Sequence, residues 1–201
     1  MNINNDNYRQ FTYFILILIG ISVIISYGIS LLFKQYQIVI PFYVDLPIST
    51  IGVYSILFWL FNNFCWKLPI FRSTGIVVAD DLNGDWEGTV KSSYDNHQKA
   101  ITARLTIEQT ATRIKICGTF NESKSVSIHE NFSRSEIDNK VALFYFFRNE
   151  PNYDATETMS IHEGSAKLIH DEKDDTLKGY YYSGRDRNNH GTIEVKRTEK
   201  P

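Results

Sequence analysis

Two long apolar runs fill the first third of the chain, and alternating apolar and polar residues follow them. The runs cover residues 11–33 and 48–66, and neither contains a charged side chain. At about 1.5 Å per helical residue they measure roughly 34 and 28 Å, which suits the hydrocarbon core of a bilayer. The pattern therefore predicts a two-helix transmembrane hairpin over residues 11–66, preceded by a polar tail over residues 1–10.

Residues 84–198 alternate between apolar and polar positions, and turn-forming residues return about every ten positions. This pattern is typical of an antiparallel all-β domain. The segments that fit a strand are 84–93, 100–109, 112–120, 125–137, 140–148, 158–170, 176–183 and 191–197. Short connections favour an eight-stranded up-and-down, lipocalin-like β-barrel, which has no exposed sheet edges and can hold one small ligand. Residues 67–83 form a connector between hairpin and barrel.

The predicted strand 140–148 departs from this alternation because both of its faces are apolar from residue 141 to residue 147. One explanation is that a partner subunit, the connector or the lipid surface covers its outer side. The other is that its outward aromatic rings form a subunit interface, and we favour this second explanation slightly.

Small residues recur along one face of the first apolar run. Ser22, Ser26 and Ser30 are four residues apart. Such spacing lets transmembrane helices approach closely, so this stripe is a candidate oligomer interface. It is equally compatible with packing against the second helix of the same chain. Because neither run contains Asp, Glu, Lys, Arg or His, a proton relay or an ion-coupled transporter is disfavoured.

Charge and cysteine content narrow the choice of partners. Residues 67–201 carry 19 Lys and Arg against 21 Asp and Glu, so the near-neutral β-domain gives no reason to expect polymeric nucleic acid as a partner. Cys65 lies in an apolar run and Cys117 in a predicted strand, which disfavours a disulfide and indicates a reducing compartment.

The flanking cations suggest an orientation. The first run is too long for a signal peptide and follows a tail with only Arg9 as a cationic side chain, so we expect a retained membrane helix. Lys34 lies between the runs, whereas Lys67 and Arg72 follow the second. This weak bias places both termini in the cytoplasm.

The candidate recognition residues cluster near the last predicted turn. They are Tyr180, Tyr182, Arg185, Arg187 and Asn188, together with Trp86 near the start of the first strand. Guanidinium groups match phosphate oxygens, tyrosine rings stack on bases, and amides pair with base edges, which are the contacts a nucleotide needs. Alternatively, Arg185 or Arg187 covers Trp86 through a cation–π contact and has a structural role only.

Catalysis is not expected. The five histidines are scattered over different strands and loops, and the sequence has no glycine-rich phosphate loop or nucleophile elbow. We therefore predict no catalytic residues, no metal site and no cofactor.

The order of these segments resembles a known family. Two membrane spans, an opening with Leu82, Gly84, Trp86 and Gly88, and an eight-stranded module ending in a Tyr/Arg/Asn turn are similar to the membrane-anchored β-barrel effectors of bacterial CBASS antiphage defence. The resemblance covers essentially the whole chain. It implies an inner-membrane protein whose barrel binds a cyclic dinucleotide made by a cognate CD-NTase. It also implies that binding drives homo-oligomerisation in the lipid bilayer, membrane disruption and cell death.

Two other functions stay open. A membrane-tethered lipocalin-like module would bind a lipid or another apolar ligand inside an apolar barrel without a buried guanidinium. A scaffold would bind only protein.

Overall fold

The computed structural model describes residues 8–38, 48–134, 140–156, 159–184 and 187–199. The chain divides into two compact units, the first ending at Val77 and the second beginning at Val78. We describe each unit by itself.

The first unit is helical. Helix α1, Tyr8–Gln35, has 28 residues and is long and apolar enough to cross a membrane. Helix α2, Thr50–Asn63, has 14 residues and is capped by Ser49, whose hydroxyl accepts a hydrogen bond from the Gly52 amide at 3.2 Å. A 3-10 turn and the short helix α3, Pro69–Ser73, follow. Helix α2 is therefore shorter than the 19-residue apolar run that predicted a second span.

Helices α1 and α2 pack together through aromatic rings, and one serine of the stripe donates a hydrogen bond to the segment that precedes α2. Phe14 of α1 lies 4.4 Å from Phe61 of α2, measured between ring centroids. Ser22 is fully buried, and the Ser26 hydroxyl donates to the Ile48 carbonyl at 2.9 Å. Ser30 is exposed and donates to a carbonyl of its own helix. These contacts agree with the alternative that the stripe packs within the chain, while its use between chains stays a prediction.

The second unit is a closed barrel in which each strand is antiparallel to the next and the last pairs with the first. Its strands are β1 Gly84–Ser92, β2 Ala100–Gln109, β3 Ile114–Phe120, β4 Ser123–Arg134, β5 Val141–Pro151, β6 His162–Asp171, β7 Thr176–Ser183 and β8 His190–Glu199. The predicted eight-stranded up-and-down barrel is confirmed. Two predicted strands, 125–137 and 158–170, extend into residues 135–137 and 158, which lie outside the described residues.

One end of the barrel is filled with apolar side chains. Phe132, Leu143 and Leu168 lie side by side on β4, β5 and β6, and each is at most 2% exposed. We call this the closed end; it is where β1 begins. The opposite end, where β1 runs into the 3-10 turn Ser93–Asp95, is the open end.

The outer face of β5 carries exposed aromatic rings, as its sequence predicted. Phe144 is 40% exposed and Phe146 is 58% exposed. The Lys167 ammonium lies 5.3 Å from the centre of the Phe144 ring. A partner that covers this face stays a prediction.

Candidate functional site

The open end of the barrel encloses a cavity of about 590 Å³. All eight strands contribute to its wall, so the cavity occupies the barrel interior and not a groove on its surface. Representative wall residues are Val90, Ile101, Phe120, Tyr145, Tyr181 and Ile193. A volume of this size is ordinary for a site that encloses a small organic ligand.

The wall becomes more polar from the closed end toward the mouth. The strand register places Ser127 beside Phe147, and two residues further along it places Ser125, Asn149 and His162 side by side on β4, β5 and β6. The apolar rungs at the closed end thus give way to hydroxyl, amide and imidazole groups. This gradient provides hydrogen-bonding partners in a chamber that still has aromatic walls.

Two glycines leave room for the inward rings. A Cβ atom at Gly164 would lie 2.5 Å from the Phe147 ring, and one at Gly191 would lie 2.6 Å from the Tyr181 ring. Neither distance is compatible with a side chain at the glycine position. Phe147 and Tyr181 can therefore lie across the neighbouring strands and form flat parts of the cavity wall.

Tyr145 and Tyr181 place phenol groups in this wall, and burial raises the pKa of both. For Tyr181, a hydrogen bond with Ser92 and the charge of Arg187 act in the opposite direction, whereas the charge of Asp95 adds to the effect of burial. The charges of Arg187 and Asp95 therefore have opposite effects on the pKa of Tyr181. Both tyrosines are neutral hydrogen-bonding groups at physiological pH.

Arg187 lies at the mouth of the cavity. It lines the cavity, and its guanidinium carbon is 5.9 Å from the centre of the Tyr94 ring. Arg185, its predicted companion, lies outside the described residues. The assignment of ligand contacts to either arginine stays a prediction.

The structure places the other predicted residues of the last turn outside the cavity wall. Tyr180 and Tyr182 are on the outer face, 43% and 54% exposed, with ring centroids 5.6 Å apart. Asn188 is exposed and has a φ of 46°, a backbone conformation that asparagine tolerates in turns. The inward ring is that of Tyr181, which the sequence analysis missed. Strand parity could have found it, because Leu177 and Tyr181 lie on one face of β7.

Trp86 lies at the closed end and not at the cavity. It is fully buried, and its Nε1–H donates to the Leu82 carbonyl at 3.0 Å. An arginine does cover its ring, as the structural alternative required, but this arginine is Arg197, whose guanidinium carbon is 4.1 Å from the ring centre. Trp86 therefore has a packing role in the described barrel.

An ionic network surrounds this tryptophan. His170 contacts Asp80 through Nδ1 at 2.9 Å and Asp175 through Nε2 at 3.0 Å. Arg197 Nε donates to Asp175 at 2.9 Å, and its terminal nitrogens donate to the carbonyls of Asp81 and Asn83. The network fixes residues 80–83, which precede β1, to strands β6 and β8.

The network also changes the protonation of its members. Burial favours the neutral imidazole, but the hydrogen bonds and charges of Asp80 and Asp175 outweigh it and raise the pKa of His170. Burial acts to raise the pKa of Asp175, but its hydrogen bonds and charge interactions with His170 and Arg197 lower it on balance. His170 therefore stays protonated to a higher pH, and Asp175 stays ionised to a lower pH, than either side chain would alone.

These shifts predict a pH dependence of stability. Because the pKa of His170 is higher in the folded state, its stabilising contribution is complete below the ordinary value of 6.5 and is lost as pH rises through the folded pKa. We expect thermal unfolding of the full chain in detergent to show a melting temperature that falls from pH 6 to pH 9. In His170→Asn this fall should be smaller, whereas the exposed His129→Asn should retain it. An equal fall in all three proteins would contradict a role for His170.

Comparisons with known proteins agree with this division of the chain. The family described as Cap15, cyclic dinucleotide receptor domain, matches residues 77–197, and the family described as Cap15, TM helices, matches residues 14–67. The chain is 30% identical over 185 residues to a CD-NTase-associated protein 15 of Escherichia albertii. That alignment covers 88% of this chain and 91% of the relative. The first description concerns a receptor domain and the second concerns membrane helices; neither names an enzymatic activity.

Proposed function

The chain belongs to the Cap15 family of CBASS membrane effectors, and from that premise we propose that its barrel binds a cyclic dinucleotide made by a cognate CD-NTase. Binding then promotes self-association of the membrane segments. The resulting assembly disrupts the bacterial inner membrane and kills the infected cell.

The observation that carries this proposal is the chemistry of the cavity at the open end. Its wall combines the rings of Tyr145, Phe147 and Tyr181 with a guanidinium at the mouth and a polar rung inside. Rings can stack on bases, hydroxyl and amide groups can pair with base edges, and the cation can contact a phosphate. A lipid ligand would need an apolar chamber instead, since buried polar groups left without partners cost free energy. The cavity therefore favours a nucleotide over a lipid.

The membrane part of the proposal depends on α1. Its outer side chains are long and apolar, with Ile17 61% and Ile24 72% exposed, as expected of a surface in contact with lipid. We propose two spans, with α2 and its flanking residues forming the second, and both termini in the cytoplasm. A cytoplasmic barrel can meet a nucleotide second messenger directly.

A ligand changes an assembly equilibrium only when it binds the assembled and free states with different affinities. Filling the cavity would satisfy polar groups on β4, β5 and β6 and add contacts to Arg187 at the mouth. We propose that the filled barrel associates with other copies more strongly than the empty one. The local concentration of the attached helices then rises, and they pack against each other in the bilayer.

The face of α1 opposite Ser22 is available for that packing. At 100° per residue, Gly20, Ile24 and Gly28 lie on the side away from Ser22 and Ser26. A Cβ atom added at Gly20 or Gly28 would meet no atom of the described residues within 4 Å. Larger side chains there should leave the hairpin intact and disturb only contacts between chains.

This face provides a direct test of the effector mechanism. We expect the Gly20→Leu/Gly28→Leu double variant to bind cyclic dinucleotide as the unaltered chain does, but to release roughly tenfold less dye from loaded phospholipid vesicles. The reason is that bulky side chains prevent close helix approach. The Gly20→Ala/Gly28→Ala variant should fall between the two. Unchanged dye release in the leucine variant, with intact ligand binding, would exclude this face from the active assembly.

A further inference from the structure

The inner face of β5 carries a buried polar side chain with a single weak hydrogen bond to the described residues. Asn149 is only 5% exposed and lines the cavity. Its amide nitrogen contacts one described residue, the sulfur of Met159 at 3.5 Å, and its amide oxygen accepts no hydrogen bond from a described residue. Thioether sulfur is a weak acceptor, so among the described residues this amide has one weak contact and remains able to bond a molecule in the cavity.

Buried amides in folded proteins are usually fully hydrogen-bonded, because an unsatisfied one destabilises the fold. Phe147 and Tyr145 precede Asn149 at alternate positions of β5, and both are large aromatic residues that fill space. A third apolar residue at position 149 would continue this pattern at lower cost. The asparagine is therefore poorly explained by packing and well explained by a ligand.

On the basis of the proposed function, we infer that Asn149 reads the edge of one nucleobase of the bound cyclic dinucleotide. An asparagine amide presents one donor and one acceptor side by side, which matches the adjacent amino and ring nitrogen groups of adenine. Phe147 is two residues away on the same face, roughly 7 Å along the strand, and its ring provides a surface on which the same base stacks. Arg187, at the mouth, contacts the phosphates.

The polar rung supports this placement. The register sets Ser125 on one side of Asn149 and His162 on the other. His162 Nδ1 lies 3.0 Å from the Ser160 carbonyl, so Nδ1 is the ring nitrogen that carries the proton when the imidazole is neutral. A base edge at Asn149 would thus lie between a hydroxyl and an imidazole that can complete its hydrogen bonds.

A base-reading role for Asn149 predicts different effects on base specificity and on overall affinity. Replacing a residue that reads a base changes the relative affinity for different bases, whereas replacing a residue that contacts phosphate weakens all ligands by a similar factor. Asn149→Asp has nearly the same shape but offers acceptors only. Adenine then loses the partner of its ring nitrogen, while guanine can donate from its N1–H and its amino group.

The test is a titration of the full chain in detergent with cyclic diadenylate, cyclic diguanylate, cyclic dicytidylate and cyclic diuridylate. We expect Asn149→Asp to raise the affinity for cyclic diguanylate relative to cyclic diadenylate by about tenfold or more, which is the size of one paired hydrogen-bond contact. Asn149→Ser introduces no buried charge and should reduce discrimination among the four ligands about fivefold. Arg187→Ala should weaken all four alike.

Asn131→Asp is the matched control, since it makes the same chemical change on the exposed outer face of β4. Relative affinities that stay within about threefold in both Asn149 variants, while the unaltered chain binds, would overturn the role of Asn149 and leave the proposed function standing. If the unaltered chain binds none of the four ligands, the proposed function is wrong and the inference fails with it.

Discussion

Replacement of Ser183 by phenylalanine is expected to weaken cyclic-dinucleotide binding by roughly 100-fold, or about 2.8 kcal/mol. Ser183 is on the inner face of β7, 9% exposed, and it lines the cavity opposite Gly164. A phenylalanine ring there would extend into the space that the ligand needs. Because the ring enters a cavity and not a packed core, the barrel should remain folded.

The matched control is Ser165→Phe. Ser165 is on the outer face of the barrel, between Phe146 and Tyr182 in the register. The same ring is added there without entering the cavity, so affinity should be unchanged. The affinities are measured by calorimetric titration of the full chain. If both variants bind as tightly as the unaltered chain, the ligand lies outside the barrel interior.

Replacement of Arg197 by alanine should produce the largest loss of stability, about 3–5 kcal/mol. Its side chain is only 5% exposed; it pairs with Asp175, donates to two backbone carbonyls and covers Trp86. Removing it leaves the two backbone carbonyls with fewer partners and uncovers the buried ring of Trp86, whereas Asp175 is partly exposed and can bind water. We expect the melting temperature of the barrel to fall by roughly 10 °C or more.

Lys196→Ala is the control for this loss, because it removes one positive charge at the neighbouring position, where the side chain is exposed. Its effect should stay within about 0.5 kcal/mol. Arg197→Lys should lie between the two, since lysine keeps the charge but lacks the planar fork that reaches two carbonyls and the carboxylate. Similar stability in Arg197→Ala and Lys196→Ala would mean that the network does not hold the closed end.

Alternation of apolar and polar residues was sufficient to predict the barrel, because each strand buries one face and the turns between strands are short. Strand ends were predicted less well. Residues 159–161 were assigned to a strand, but β6 begins at His162. The apolar runs predicted the helical unit, yet composition could not show that α2 ends at Asn63, where a 3-10 turn replaces the helix.

The site was harder to predict because it depends on which strand face is inward and on long-range pairing. Tyr180 and Tyr182 were predicted as ligand contacts because they belong to a run of three tyrosines. The alternation of strand faces places Tyr181 in the cavity wall instead. Trp86 appeared close to the last turn because β1 and β8 pair, yet antiparallel pairing places its partner, Arg197, at the other end of β8. Asn149 gave no local signal, and only closure of the barrel places it beside Ser125 and His162.

The aromatic outer surface of β5 and β7 shows why composition alone is ambiguous. Phe146 and Tyr182 are exposed to similar extents, and neither can be assigned to a ligand or to a partner from its residue type. Side chains on the inner face are less ambiguous, because inside a closed barrel they can contact only other core residues or a ligand. The polar rung at the open end is therefore the more informative feature of the chain.

The most direct test of this account is the stoichiometry of cyclic-dinucleotide binding to the intact chain in detergent, measured by calorimetric titration. A ligand enclosed by one barrel predicts saturable binding of one molecule per chain, with a melting temperature that rises with ligand concentration. Binding of one molecule per two chains would place the ligand between barrels. No binding by the folded chain to any member of a panel that covers all four bases would contradict the account.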